Sequence, residues 1–125
     1  MTVRGIRGAT TIENDDMDSV LCATQDLLNA ILAANPTLCP EDLASAWFTT
    51  TPDIHAAYPA RAARLLGWVQ VPLMCATEID VVNSLPLCIR VLLHWNTELP
   101  QTAIQHVYLK GAEILRPDLI KSTKP

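Results

Sequence analysis

The chain has 125 residues, enough for one domain and too few for two of ordinary size. Half of it is apolar, which excludes a disordered segment; the share is generous for so short a chain and hints at apolar surface covered by a partner subunit. A net charge of −4, with nine basic residues spread thinly between Arg4 and Lys124, excludes an electrostatic footprint for nucleic acid.

In chain order, residues 2–11 read as a strand, because Val3, Ile6, Thr10 and Thr11 favour extended backbone. Alternation puts Val3, Gly5, Arg7 and Ala9 on one face, so Arg7 stands between two minimal side chains with a hollow beside its guanidinium. Glu13, Asn14, Asp15 and Asp16 form an acidic helix start suited to capping and to the positive end of the helix dipole. From Met17 to Asn35 the residues Met17, Val20, Leu21, Leu27, Leu28, Ile31 and Leu32 keep helical spacing, and Pro36 stops the helix. A strand follows over Leu43 to Thr51, ended by Pro52-Asp53, and then a shorter helix over Ala56 to Leu66, interrupted by Gly67. Further strands are expected over Val69 to Met74, Leu87 to Asn96 and Ile104 to Leu109. The order β-α-β-α-β-β-β predicts an α+β domain, a mixed sheet with helices on one side, over residues 1–120, followed by a loose tail at 121–125.

Several chemistries find no support. Cys22, Cys39, Cys75 and Cys88 make no CxxC pair and have no histidine at ligand spacing, so no metal site is expected. Cys75 and Glu78 lie close together, but no histidine is placed to complete a nucleophilic triad. The opening stretch carries no signal-peptide pattern, and no run approaches the roughly 20 apolar residues of a membrane span. The expectation is a cytoplasmic protein with reduced thiols.

The charged residues in apolar surroundings are more informative. Arg90 lies inside Leu87-Cys88-Ile89-Arg90-Val91-Leu92-Leu93, and an arginine there demands an anionic partner. That partner is either a protein carboxylate, Glu78 or Asp80, or a bound carboxylate or other electron-rich oxygen. Six of the nine basic residues are arginines. Arg61 and Arg64 sit three apart on one helix face beside Tyr58, and the planar guanidinium fork matches carboxylates as lysine does not. Tyr108, on the final strand, is either a core aromatic with a satisfied hydroxyl or a hydrogen-bond donor to a ligand.

The blocks Arg4-Gly5-Ile6-Arg7-Gly8-Ala9-Thr10-Thr11, Thr51-Pro52-Asp53-Ile54-His55-Ala56 and Tyr58-Pro59-Ala60-Arg61 resemble the small trimeric chorismate mutases. So do Gly67-Trp68, Val71-Pro72, Cys88-Ile89-Arg90-Val91, His106-Val107-Tyr108-Leu109 and Leu115-Arg116-Pro117-Asp118-Leu119, in the family's order along nearly the whole chain. The resemblance implies a homotrimer with a barrel-like core and active sites between subunits, rearranging chorismate to prephenate without a cofactor. It further implies that Arg90 reaches the ether oxygen and side-chain carboxylate, with Arg7 and Tyr108 holding the same end. Glu78 and the Cys75 region would contact the ring and its hydroxyl. Tyr58, Ala60, Arg61 and Arg64 would come from the facing subunit, while Leu73, Met74, Leu115 and Arg116 would line the wall or mouth. Arg61 stands where the family often has lysine, which keeps the charge, and Asn83-Ser84-Leu85-Pro86 lacks the family's glycine pair. Two rival readings are a trimeric small-molecule binder of the enamine/imine deaminase kind, with an interface cleft, and a purely structural protein in which Arg90 and Glu78 form a buried ion pair.

Overall fold

A single helix-covered sheet organises residues 2–115, the part of the chain that the computed structural model describes. Arg116, the remainder of the expected domain to residue 120 and the tail at 121–125 lie outside it. The elements are β1 (Val3–Thr11), α1 (Met17–Ala34), β2 (Leu43–Thr50), α2 (Pro59–Leu65), β3 (Leu73–Thr77), β4 (Cys88–Asn96) and β5 (Val107–Tyr108), with short 3-10 turns between some of them. The strand order is β3-β2-β4-β1-β5. β4 pairs antiparallel with both β1 and β2, while β3 and β5 add parallel edges, so the sheet is mixed as expected.

Local chemistry sets the helix ends. The Asp16 carboxylate accepts from the Ser19 N–H at 2.8 Å, satisfying one of the free donors at the start of α1. At its other end Asn35 donates to the Ile31 carbonyl, and its side chain exchanges two hydrogen bonds of 2.9 Å with the backbone of Gln105. α2 starts at Pro59, later than the helical pattern suggests. The N–H groups of His55 and Ala56 are held by Asp15, and proline keeps Tyr58 extended. α2 ends in a Schellman turn: Gly67 takes a φ of +93°, and the N–H groups of Gly67 and Trp68 return to the carbonyls of Arg64 and Ala63.

That turn also corrects the third strand. Residues 68–71 complete the turn and its bend, and β3 runs over Leu73–Thr77 rather than Val69 to Met74. Pro72 has no N–H for a ladder, but its carbonyl accepts from Ala46 at 2.9 Å, so pairing with β2 begins there. The last strand shrinks to two residues because Ile104 closes a 3-10 turn, Gln105 is bound by Asn35, and the Arg7 N–H goes to the His106 ring at 3.0 Å.

The two sheet faces differ. Ile6, Phe48, Val91, Leu93 and Trp95 pack beneath Leu27, Leu28 and Ile31 of α1 and Ala60 and Ala63 of α2. Among the described residues the opposite face carries no α-helix, and Trp47, Met74 and Leu92 stand exposed on it. Gly8 lies where α1 crosses the sheet, and a Cβ there would come within 2.8 Å of Ile31 and 3.2 Å of Leu27 and Val91. Gly8→Ala is therefore expected to cost about 1–3 kcal/mol through overpacking, read as a lower urea midpoint at unchanged slope. An unchanged midpoint would show that α1 moves aside freely.

Candidate active site

The sheet face turned away from α1 and α2 gathers the charged candidates. Ladder partners share a face, so Arg7, Ala9, Arg90, Leu92, Trp47 and Thr49 all project to this side. Arg7, Trp47, Thr49, Glu78, Arg90 and Leu92 line a hollow of about 290 Å³. The space beside Arg7 arises as alternation implies, since its same-face neighbours on β1 are Gly5 and Ala9.

Arg90 is less enclosed than its apolar run suggests. Ile89, Val91 and Leu93 turn to the core, whereas the Arg90 side chain keeps 25 % of its surface exposed. Its Nη1 lies 3.9 Å from Glu78 Oε1, near enough for charge attraction but beyond a hydrogen bond. Glu78 instead accepts from the Thr49 hydroxyl through its other oxygen. The Arg90 Nε is buried and has no hydrogen-bond partner among the described residues. The open alternatives at Arg90 therefore resolve into a loose ion pair, with the buried Nε donor unpartnered among the described residues.

Tyr108 occupies the same face. It pairs with Ala9 across β5 and β1 and packs with Cys88, Ala112 and Leu115, while its buried hydroxyl has no partner among the described residues. Burial pushes the Cys88 thiol above its ordinary value, and the neighbouring Arg90 offsets only part of that. Cys88 and Arg90 stand two residues apart on the same face of β4. The short strand bearing Tyr108 is secured by the Asn35–Gln105 amide bonds and by the His106 ring accepting from the Arg7 N–H.

The remaining candidates gather elsewhere. Tyr58, Arg61 and Cys75 line a second hollow of about 470 Å³ with Met17, Thr50 and His55. It shares no lining residue with the first. Tyr58 is 73 % exposed and projects from the loop before α2. Cys75 and Leu73 pack against the helix-side core, so the Cys75 thiol turns away from the Arg90 face. Ala60 is buried under α2, Arg64 is exposed on α2, and Met74 is exposed on the edge strand. In one chain the structure therefore brings together Arg7, Glu78, Arg90 and Tyr108, and separately Tyr58, Arg61 and Cys75.

Sequence reasoning passed over the groups that fix these segments. Asp15 accepts from the N–H groups of His55 and Ala56 at 2.8 and 3.0 Å, holding the loop that leads to Tyr58 and Arg61. The Thr51 hydroxyl donates to Asp53 at 2.5 Å and accepts from the Cys88 N–H at 2.9 Å, while the other Asp53 oxygen accepts from the Leu87 N–H at 2.9 Å. The Thr-Pro-Asp turn signal and the resembling block at 51–56 pointed to this place but not to these bonds.

The comparisons with known proteins agree with this architecture. Residues 3–119 match the family described as chorismate mutase type I. The chain belongs to that family. It is 48 % identical over 120 residues to the chorismate mutase AroH of Bacillus subtilis (strain 168), covering 95 % of this chain and 94 % of the relative. It is 50 % identical over 117 residues to chorismate mutase AroH of Thermus thermophilus, covering 94 % and 96 %. Its fold is similar to the solved chorismate mutase from Clostridium thermocellum, with a TM-score of 0.85 and 46 % identity over 88 % of this chain and 97 % of that one. These matches support the mutase reading and lend nothing to the deaminase-like alternative. Among the described residues no helix is long and apolar enough to cross a membrane, and no cluster of three or more His, Cys, Asp or Glu could hold a metal ion.

For Asp53, burial alone would raise the pKa, but the bonds from Thr51 and the backbone N–H groups prevail and hold it below the ordinary 3.8. A carboxylate depressed in the folded state adds stability that is complete above about pH 5 and fades as pH falls through the folded value. Asp53→Asn is thus expected to be less stable than the parent at pH 7, with the gap closing as pH drops below about 4. Urea unfolding at a series of pH values checks this, and a gap constant into acid would refute the carboxylate's role.

Proposed function

We propose that this mutase converts chorismate to prephenate at sites shared between neighbouring subunits of a homotrimer. The observation that carries the reading is the pair of buried donors without partners among the described residues, Arg90 Nε and Tyr108 OH, on the sheet face that also presents Arg7 and Glu78. A buried donor left unsatisfied costs about 1–3 kcal/mol, so a face that keeps two of them suits an anionic ligand.

The reaction is a unimolecular pericyclic rearrangement, with a carbon–oxygen bond breaking as a carbon–carbon bond forms. It needs no nucleophile and no proton transfer. The protein must hold a flexible dianion in its compact conformation and stabilise the charge that separates as the ether opens. Arg90 meets the developing negative charge on the ether oxygen and the adjoining carboxylate. Arg7 and Tyr108 grip that carboxylate, and Glu78 faces the electron-poor ring and its hydroxyl. Leu115 closes one wall, and Met74 lies along another with the backbone of Leu73 and Cys75. Tyr58, Arg61 and Arg64, exposed on the loop before α2 and on the outer side of α2, come from the neighbouring subunit, with Ala60 buried behind them. The exposed Trp47, Met74 and Leu92 supply apolar area for that association.

An acceleration of about a millionfold requires roughly 8 kcal/mol. One aligned electrostatic donor supplies about 3–4 kcal/mol of that, and conformational restraint can provide the rest. Arg90→Ala is expected to lower kcat at least about a hundredfold with the assembly intact, followed by loss of chorismate absorbance. Near-normal turnover would remove Arg90 from the chemistry.

The shared site has its own test. Arg90→Ala and Arg61→Ala chains, each impaired alone, are unfolded together, refolded as an equal mixture and assayed. Random assembly pairs intact halves at about a quarter of the sites, so about a quarter of parental activity should return. Activity no higher than the average of the two variants would place the whole site within one chain.

A further inference from the structure

We propose that Asp53, acting through Thr51, is a positioning residue that sets the Arg90 guanidinium for the reaction. The inference rests on the assignment of Arg90 given above. Its basis is a continuous path of bonds. Asp53 accepts from the Thr51 hydroxyl and from the Leu87 N–H, and the Thr51 hydroxyl accepts from the Cys88 N–H. The Thr51 N–H returns to the Cys88 carbonyl at 3.0 Å, so both backbone groups of Cys88 are held by one buried threonine. Arg90 stands two residues further along the same face of β4, the next side chain on that face after Cys88.

The backbone shows why such a latch is needed. Leu87 has a φ of +48°, a left-handed conformation that a leucine adopts only when its surroundings impose it. This sharp reversal starts β4 and brings Cys88 into register with Thr11 on β1. The Asp53 carboxylate holds the N–H of that strained residue. Without it Leu87 can relax toward extended backbone, shifting the start of β4 and with it the Arg90 guanidinium away from the ether oxygen. Asp53 also stands two residues before His55, whose N–H is bound by Asp15 on the loop leading to Tyr58 and Arg61. The same turn therefore braces the start of the strand bearing Arg90 and the start of the segment offered to a neighbouring subunit.

The test is a kinetic cycle on the assembled enzyme with chorismate as substrate. Asp53→Asn, which cannot accept both bonds, and Thr51→Val, which keeps the shape without the hydroxyl, should each lower kcat at least about tenfold while KM moves little. Thr51→Ser restores the hydroxyl and should recover most of the loss. In an Arg90→Lys background, itself slow, Asp53→Asn should cost no more than about twofold further, because the flexible lysine stem has no fork to keep in place. Urea unfolding of each variant separates lost stability from lost turnover. Unchanged kcat in both Asp53→Asn and Thr51→Val, or an equal loss in the two backgrounds, overturns the latch while leaving the Arg90 assignment standing. Parental turnover in Arg90→Lys overturns that assignment and the latch with it. Should Asp53→Asn fail to fold, Thr51→Val against Thr51→Ser decides the matter alone.

Discussion

A guanidinium held in the middle of a sheet without a full set of partners is the constraint around which this fold is arranged. β4 is paired on both sides, so Arg90 cannot move as an edge residue could; Ala9 stands opposite it on β1 and Thr49 on β2. The small side chains of Gly5 and Ala9 leave room on that face, and the nearest carboxylate stays at 3.9 Å. A structural ion pair would close that distance and satisfy Nε, since removing a charge from water without full hydrogen bonding is costly. The folded chain instead keeps the cost and offsets it with the well-packed opposite face, where Phe48, Leu93, Trp95, Leu27 and Ile31 are almost completely buried.

The side chains that position this face bond mainly to backbone. Asn35 binds the chain before Tyr108, Asp15 binds the loop before Tyr58, Asp53 and Thr51 bind the start of β4, and the His106 ring binds the Arg7 N–H. A short polar side chain bonded to a backbone group has few rotatable bonds through which that group could drift. An exposed salt bridge between long side chains gains little and leaves both free to wander. For a reaction in which the protein supplies geometry and fixed charge, short clamps of this kind are the appropriate device.

Much of the fold could be read from periodicity. α1 and the strands β1, β2 and β4 lie within a residue or so of their expected bounds, because amphipathic spacing, the acidic cap and Pro52 all mark them. β3 and β5 were displaced or shortened where a specific bond overrode propensity: the Schellman turn and Pro72 in one case, Asn35 and His106 in the other. Arg7 and Arg90 stood out because a charge in an apolar strand is anomalous. Whether the Tyr108 hydroxyl was satisfied could not be read from its neighbours in sequence, since Ala9, Cys88 and Ala112 reach it from three other segments. The Thr51–Asp53 latch was hidden for the same reason. Its partners at 87 and 88 lie more than thirty positions away, and bonds between a side chain and a distant backbone group leave no periodic trace.

The division between the two faces bears on how this site could arise from so small a chain. One face of the sheet must carry nearly all the stabilising apolar burial, because the other is given over to arginines, Glu78 and unsatisfied donors. A lone subunit of this design leaves Trp47, Met74 and Leu92 in water and an arginine site open on one side. In the trimer proposed above, association of identical chains would answer both problems with one surface: apolar area would leave water, and a neighbour's loop would supply the missing wall together with a further positive charge. In that arrangement assembly and catalysis draw on the same face. The proposed trimer is then a condition for excluding water from the guanidinium, since the same charge acts far more strongly on a breaking bond in a dry cleft than on an open sheet.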